Sequence, residues 1–558
     1  MDRYFKVAVI IIFIVIGIIG FYAVSDSAIH VDDPAQWRHS RVAWKYINEH
    51  IFNRHIPELD ASPNLNEYNR KNYGTAIQMP MAFVEDLFNY QLSMVKVYKM
   101  RYAFVFMYYF ISLICFYFLC KRLFSANMKT ENSLRFLAIC GVMMLFLFPR
   151  FFAGSVGDVK NLSFVSFFII ALFFMVKFLQ EHRGIIPCIF FCIFSAIATN
   201  VRMAGLLLIA AILVFMIIED IFTLKNLIPK SENRKLNNLS FIFPYILILV
   251  VFTLLFYFIT PAMWNNPLEQ LNLMLTKSVD YDIWDRDMVF NGHLITRNEI
   301  PWYYLPIWMG ITIPVYILFF FVVGIVALIV GLYKGKLEFF IRDRLLWMLL
   351  FLFLIPTIMV MSGLVGIYMG WRHVYFLFVP LVLISLYGVI KLHEVLQRNQ
   401  MRVRTNLAVP MIIAAGLLGS AFHLGINHPY QGTLFNAIGT PVGKYFDRSD
   451  NNVRFQGYLT CLEYLLENYP DQDLSIESAQ YMYDMIDFTK ASEEKKARII
   501  DITGTEQSGD FYWESYRYFT GELHERDGYR EVFSIWIDYS FILGTLFISD
   551  DSTLKELN

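Results

Sequence analysis

The sequence predicts a polytopic α-helical membrane protein of about eleven transmembrane helices, followed by a small C-terminal α+β soluble domain. Three observations predict it. Apolar residues make up 57% of the 558 positions and the mean hydropathy is +0.47, more than a soluble domain carries. Apolar runs of about 18 residues, the length that crosses a bilayer, recur near 5–24, 101–120, 134–149, 162–180, 185–200, 204–222, 241–260, 306–332, 345–363, 373–391 and 407–425. With the N-terminus inside, twenty basic residues fall in the inward segments and seven in the opposite short loops, as the positive-inside rule requires.

The first run lacks a small-residue cleavage site and is long enough to span, so it reads as an uncleaved helix. The loop 25–100 after it reads as helix, linker, helix. Pro34 to Phe52 sets Trp37, Trp44, Ile47 and Ile51 on one helical face, 57–72 is an Asn- and Pro-rich exposed loop, and Ala76 to Tyr90 has an apolar face that rests on or re-enters the bilayer. Inward segments hold Arg3 and Lys6; Lys121, Arg122, Lys129 and Arg135; Lys177 and Arg183; Lys225, Lys230, Arg234 and Lys235; Lys334, Lys336, Arg342 and Arg344; and Lys391, Arg398, Arg402 and Arg404. Outward loops hold Arg150, Lys160, Arg202, Lys277, Arg286, Arg297 and Arg372. Residues 1–425 form the membrane domain and 426–558 the soluble one. In the latter, 452–468 reads as a helix, and 531–549 as strands, with Phe533, Ile535, Ile537, Tyr539 and Phe541 at every second position.

Several function classes are excluded or disfavoured. A net charge of −1 with no basic stripe argues against a nucleic-acid partner. Five cysteines lie in or beside apolar segments and only Cys461 in a polar one, so neither a disulfide framework nor a metal-ligand spacing can be built. No ionisable residue occupies the middle of a predicted span, and no pair of broken helices repeats between halves, which disfavours an ion-coupled carrier.

The unusual polar residues all fall on the outward face. Asp32 and Asp33 follow the first span, where a carboxylate held at a helix start is suited to taking a proton from an acceptor hydroxyl. Asp33, before Pro34, also reads as a helix cap. Lys71 and Tyr73 close the first loop. Arg150, Asp158 and Lys160 lie in the turn 148–161, Arg202 in the turn after Asn200, and Arg372 with His373 at the head of the tenth span. An anionic leaving group needs such donors, although snorkelling at helix ends explains isolated cations equally well. Trp264 and Asn266 open the loop 261–305, and Trp302 and Tyr303 close it, as an interfacial belt or as a lid over the bilayer surface.

Taken in order, these motifs resemble the GT-C membrane glycosyltransferases, in the branch of protein mannosyltransferases and lipid A aminoarabinose transferases (glycosyltransferase family 39). The matching residues are Asp32 and Asp33; Tyr73 with Gly74; the Arg150 to Asn161 turn; Arg202 with Gly205; Trp264, Asn266 and Pro267; Pro301 to Pro306; Arg372 with His373; and His428 to Gln431 through Phe435 and Asn436. They span roughly residues 1–445. The resemblance implies an inverting transferase that moves a sugar from a polyprenyl-phosphate donor to an extracytoplasmic protein, lipid or glycan. In it Asp32 is the base, and Asp33 stands where the family commonly has Glu. Lys71, Arg150, Lys160, Arg202, Arg372 and His373 bind the donor phosphate, while Tyr73, Asp158, Trp264, Asn266, Trp302 and Tyr303 bind substrate. It implies no metal or other cofactor, and the partners are the bilayer, the lipid-linked donor and the acceptor. The expected location is a bacterial cell membrane with the active face and tail outside. The competing readings are a flippase for lipid-linked glycans and an inactive envelope scaffold.

Overall fold

A computed structural model describes residues 2–558 except 31, 182, 225–237, 280–286, 399–406, 447–451, 470–471, 479–484, 505–508, 517–526, 538–540, 553 and 555–558. Lys225, Lys230, Arg234, Lys235, Arg286, Arg402, Arg404 and Tyr539 lie outside the described residues, as do the side chains of Arg398 and Phe541.

Helix α1 (Asp2–Asp26) leads to the surface helices α2 (Asp33–Ile47) and α3 (Met79–Leu87) of the first loop. The bundle continues with α4 (Met94–Phe124), α5 (Glu131–Phe146), α6 (Pro149–Ser155), α7 (Asn161–Gln180), α8 (Ile185–Val201), α9 (Leu206–Leu224) and α10 (Asn238–Phe258). After α11 (Pro267–Val279) and the hairpin β1 (Met288–Phe290) and β2 (His293–Ile295) come α12 (Tyr304–Thr312), α13 (Val315–Arg342), α14 (Arg344–Met361), α15 (Phe378–Arg398) and α16 (Ala408–Ile426). Among the described residues eight helical segments are long and apolar enough to cross a membrane. The bent pair α5–α6 makes nine, and the shorter apolar helices within α8 and α10 complete the set of spans read from the sequence.

Three boundaries differ from expectation, each for a physical reason. The run 306–332 is broken: Pro314 has no N–H and disfavours helix in the residue before it, so α12 ends at Thr312 and Ile313 is extended. The carbonyl of Gly310, which would have bonded to residue 314, instead accepts the Asn436 side-chain amide at 2.7 Å, and Ile311 accepts the Asn436 backbone N–H at 2.8 Å. Second, 148–155 is the helix α6 rather than a turn, because Phe148 is extended and Pro149 starts a new helix bent 71° from α5. Third, α4 begins at Met94, so Arg101 lies inside it, fully buried and 3.7 Å from Glu85 of α3. The first loop packs over that charge.

On the outside of the first loop, Ile51, Phe52, Phe83, Leu87 and Phe88 are exposed. Tail residues 427–446 wedge against the bundle, with Phe435 beside Trp308 and Asn436 at the α12 break. Beyond them lie α17 (Asn452–Asn468) and a sheet of β3 (Leu474–Ser478), β4 (Ile499–Asp501), β5 (Phe511–Ser515), β6 (Tyr529–Ile537) and β7 (Phe541–Ser549), in the order β4-β3-β5-β7-β6. Pairs β3–β4 and β3–β5 are parallel and β5–β7 and β6–β7 antiparallel, and the strands expected over 531–549 are found as β6 and β7. One continuous apolar core runs from the bundle into this domain.

Candidate active site

The connector between α1 and α2 turns tightly to deliver Asp32. Asp33 is 1% exposed, and its Oδ2 accepts the His30 backbone N–H at 2.9 Å and the Tyr102 hydroxyl of α4. The Asp33 N–H returns to the His30 carbonyl at 2.9 Å, and the Asp32 N–H donates to His30 Nδ1 at 3.1 Å. Neither carboxylate caps α2, contrary to the expected role of Asp33: Asp32 occupies the cap position without a side-chain capping bond, and Asp33 is turned away from the helix. The pair is thereby divided. Asp33 closes a buried network, and Asp32, with its side chain 56% exposed, projects from the turn.

Four other elements converge on Asp32. Arg372, buried at the head of the segment before α15, brings Nη1 to 4.0 Å from Asp32 Oδ2. Lys160, at the start of α7, lies with Nζ 3.8 Å above the Tyr73 ring. Arg202, after α8, donates to the Asn161 side-chain oxygen, and Asn161 in turn donates to Asp158 Oδ2 at 2.6 Å. His373 packs against Tyr368 with ring centroids 4.3 Å apart, and its Nδ1 is buried without a hydrogen-bond partner among the described residues. Arg372, Lys160 and the exposed Arg70 all act electrostatically on Asp32.

The backbone approaches are as close as the side chains. A Cβ on Gly74 would stand 1.8 Å from the Asn200 carbonyl oxygen. Asn200 locks that contact by accepting the Ala76 N–H at 2.9 Å and donating to Thr260 Oγ1 at 2.8 Å. Gly74→Ala is therefore expected to push the Tyr73–Gly74 turn off α8. It should lower activity at least about tenfold and stability by about 1–3 kcal/mol, read by turnover and thermal melting. In the loop before Arg372, Met369 and Gly370 both have positive φ, +53° and +75°, and the Gly370 N–H donates to the Tyr304 hydroxyl at 3.0 Å. Residues of the 261–305 loop cover this turn: the Met369 N–H points at Met288 Sδ of β1, 3.1 Å away.

Of the residues predicted from sequence, the structure gathers Asp32, Tyr73, Asp158, Lys160, Arg202, Arg372 and His373 into one region. Asp158 serves the fold there, accepting the backbone N–H groups of Lys160 and Asn161 at 3.2 and 2.8 Å. Lys71 is spent elsewhere, its Nζ on the Asn66 carbonyl at 2.9 Å. Arg150 lies 5.5 Å from the Trp308 ring and 6.0 Å from that of Phe435, in the wedge of the tail. Trp264 packs on Tyr46 of α2, Asn266 donates to Glu269 in the first turn of α11, and Trp302 and Tyr303 are exposed beside each other. Sequence reasoning missed His30, Arg70 and Tyr368. Arg70 adjoins the Lys71 it displaces, and Tyr368 stands four residues before Arg372, but neither carries a periodic signal.

Burial raises the Asp32 carboxyl, yet Arg372, His30, Lys160 and Arg70 together outweigh it and hold its pKa below the usual value, so it is ionised at neutral pH. Its side chain stays accessible to water while the surrounding protein still desolvates it. Lys160 is driven well below the ordinary lysine range by burial, assisted by Arg202 and Arg372 and opposed by Asp32 and Asp158. The recess thus holds more positive charge than its carboxylates balance, and an anion relieves it.

Asp33 behaves oppositely. Burial pushes it up to about 6, against the pull of His30, Tyr102 and Arg101. An acid with a raised folded pKa contributes most below its unfolded value, near 3.8, and stability falls as pH climbs from there through 6. The difference corresponds to about 3 kcal/mol. Asp33→Asn keeps an oxygen for His30 and Tyr102 without the charge, so melting curves between pH 4 and 8 are expected to flatten and to rise above pH 6. A variant as pH-sensitive as the native protein would contradict this.

No family model matches the sequence, and no curated protein does. Among solved structures the chain is similar to the apo crystal structure of ArnT from Cupriavidus metallidurans, with 10% identity and a TM-score of 0.46 over 97% of this chain and 98% of that one. It is similar to the same protein bound to undecaprenyl phosphate at 12% identity and a TM-score of 0.41, with the same coverage. It is also similar to the archaeal oligosaccharyltransferase AglB from Archaeoglobus fulgidus in complex with an inhibitory peptide and a dolichol-phosphate, at 11% identity and a TM-score of 0.46 over 92% of this chain and 70% of that one. At such identities the chemistry has to be read from this chain's own side chains.

Proposed function

We propose that the protein is a membrane glycosyltransferase that moves a sugar from a polyprenyl-phosphate donor to an extracytoplasmic acceptor, with inversion. One observation carries the reading: an ionised, accessible carboxylate, Asp32, faces the buried Arg372 and the half-buried Lys160 and Arg202 at one end of a transmembrane bundle. A lipid carrier lies in the bilayer with its phosphate at that level, and these cations suit the phosphate. An acceptor hydroxyl attacks the anomeric carbon as Asp32 takes its proton, the new C–O bond forms, and the bond to phosphate breaks with its electron pair leaving on oxygen. Lys160, Arg202, Arg372 and Arg70 stabilise the charge that develops there. Displacement from the face opposite the leaving phosphate gives inversion. In this reading the side-chain cations themselves stabilise the leaving phosphate, and the reaction as written calls for no cofactor. The basic inward segments support a cytoplasmic N-terminus, hence an active face and tail outside the cytoplasm.

The test uses purified protein in vesicles with a labelled polyprenyl-phosphate sugar and an envelope fraction as acceptor source. Free polyprenyl phosphate should appear in step with labelled acceptor. Labelled lipid crossing the bilayer with no release of carrier phosphate would instead identify a flippase.

A further inference from the structure

The connector that carries Asp32 is held from two sides. On one side α4 grips it: Lys99 Nζ donates to the carbonyls of Ser25 and Ser27, and the Tyr102 hydroxyl accepts the His30 N–H at 3.1 Å. On the other side stands the C-terminal domain. Gln456, in the first turns of α17 and 7% exposed, accepts the Ala28 backbone N–H on Oε1 at 2.8 Å. Asp26 just before it meets Lys490 at 2.9 Å and His428 at 3.4 Å. A small cavity lined by Ala23, Ser27, Ala28, Ala153, Gly432 and Gln456 interrupts the packing between the connector and the tail at this point. Beside that cavity the hydrogen bond from Ala28 is a direct polar tether between the connector backbone and α17.

We propose that Gln456 is a positioning residue for the transfer reaction: the C-terminal domain, through the Gln456–Ala28 hydrogen bond, fixes the connector that aims Asp32 at the facing cations. The bond joins residues 428 positions apart and gives the tail a part in catalysis without contact with substrate. The proposal rests on the transferase reading for its chemistry, but not for its mechanics.

Full-length protein in detergent is compared with Gln456→Leu, which removes the acceptor at similar volume, and Gln456→Glu, which keeps an oxygen. Losing a buried hydrogen bond of this kind is expected to speed amide exchange in the connector peptide about tenfold in the Leu variant, with the exchange of α13–α15 unchanged. The same variant should lose about tenfold in kcat at a donor KM within about twofold of native, because aim is lost while the phosphate ligands remain. Gln456→Glu should recover most of both. Lys490→Ala, which removes an exposed ion pair, should change neither by more than about twofold. Native connector exchange in the Leu variant overturns the proposal, and so does a Glu variant as impaired as Leu, which would mark a merely structural role. A native protein that transfers no sugar overturns the transferase reading alone, and the exchange measurement then decides the coupling by itself.

Discussion

Asp32→Asn is expected to lower turnover by about 10²–10⁴-fold, the range for removing a positioned general base, with little change in donor KM. The amide is nearly isosteric, so the turn through His30 and the contact with Arg372 can persist while the proton acceptor is gone. Asp33→Asn gives the contrast. Its carboxylate is enclosed by His30 and Tyr102, so activity should stay within about tenfold of native even though the two residues are neighbours. Single-turnover release of polyprenyl phosphate separates the two outcomes. Equal losses in both variants would mean that the pair acts as a unit, and native turnover in Asp32→Asn would remove the base from the mechanism.

Arg372→Met should show the second large effect, about 10²–10³-fold in kcat, because in the proposed reaction this cation faces the departing phosphate. A pH signature distinguishes this from a folding defect. Burial raises the Asp32 carboxyl and Arg372 is the foremost of the charges that lower it, so without the guanidinium the pKa climbs. Asp32 must be ionised to act, so the acid limb of the kcat profile should move to higher pH in the Met variant and stay near native in Arg372→Lys. A uniform loss across pH would show that Arg372 does not tune Asp32.

How much of this was legible beforehand depended on what each constraint acts through. The bilayer demands long apolar runs with internally bonded backbones, and that demand is written locally, so the order of spans could be read off, while the tail's final strands showed in their alternation. The break after Thr312 carries a local signal in Pro314, but the group that makes it tolerable does not: Asn436 is 126 positions from the Gly310 carbonyl it satisfies. Within the site, residues at the heads of spans were found because topology confines them: Lys160, Arg202 and Arg372 had nowhere else to go. Residues in the irregular first loop were not. There a one-residue offset decides between Arg70 and Lys71, and only the folded turn sends the Lys71 amine back to Asn66. His30 acquires meaning through Tyr102, which a different helix supplies.

The Asn436 bridge also bears on how the molecule is made. Translation delivers α12 and α13 to the membrane well before residue 436 exists, so for that interval the Gly310 and Ile311 carbonyls lack the partners they have in the finished protein. Until the segment after α16 docks, those two carbonyls need other hydrogen-bond donors. Chains truncated at 426 should insert all their spans yet be degraded faster than chains ending at 446, making the first twenty or so residues of the tail the step that finishes the membrane domain rather than the beginning of another one.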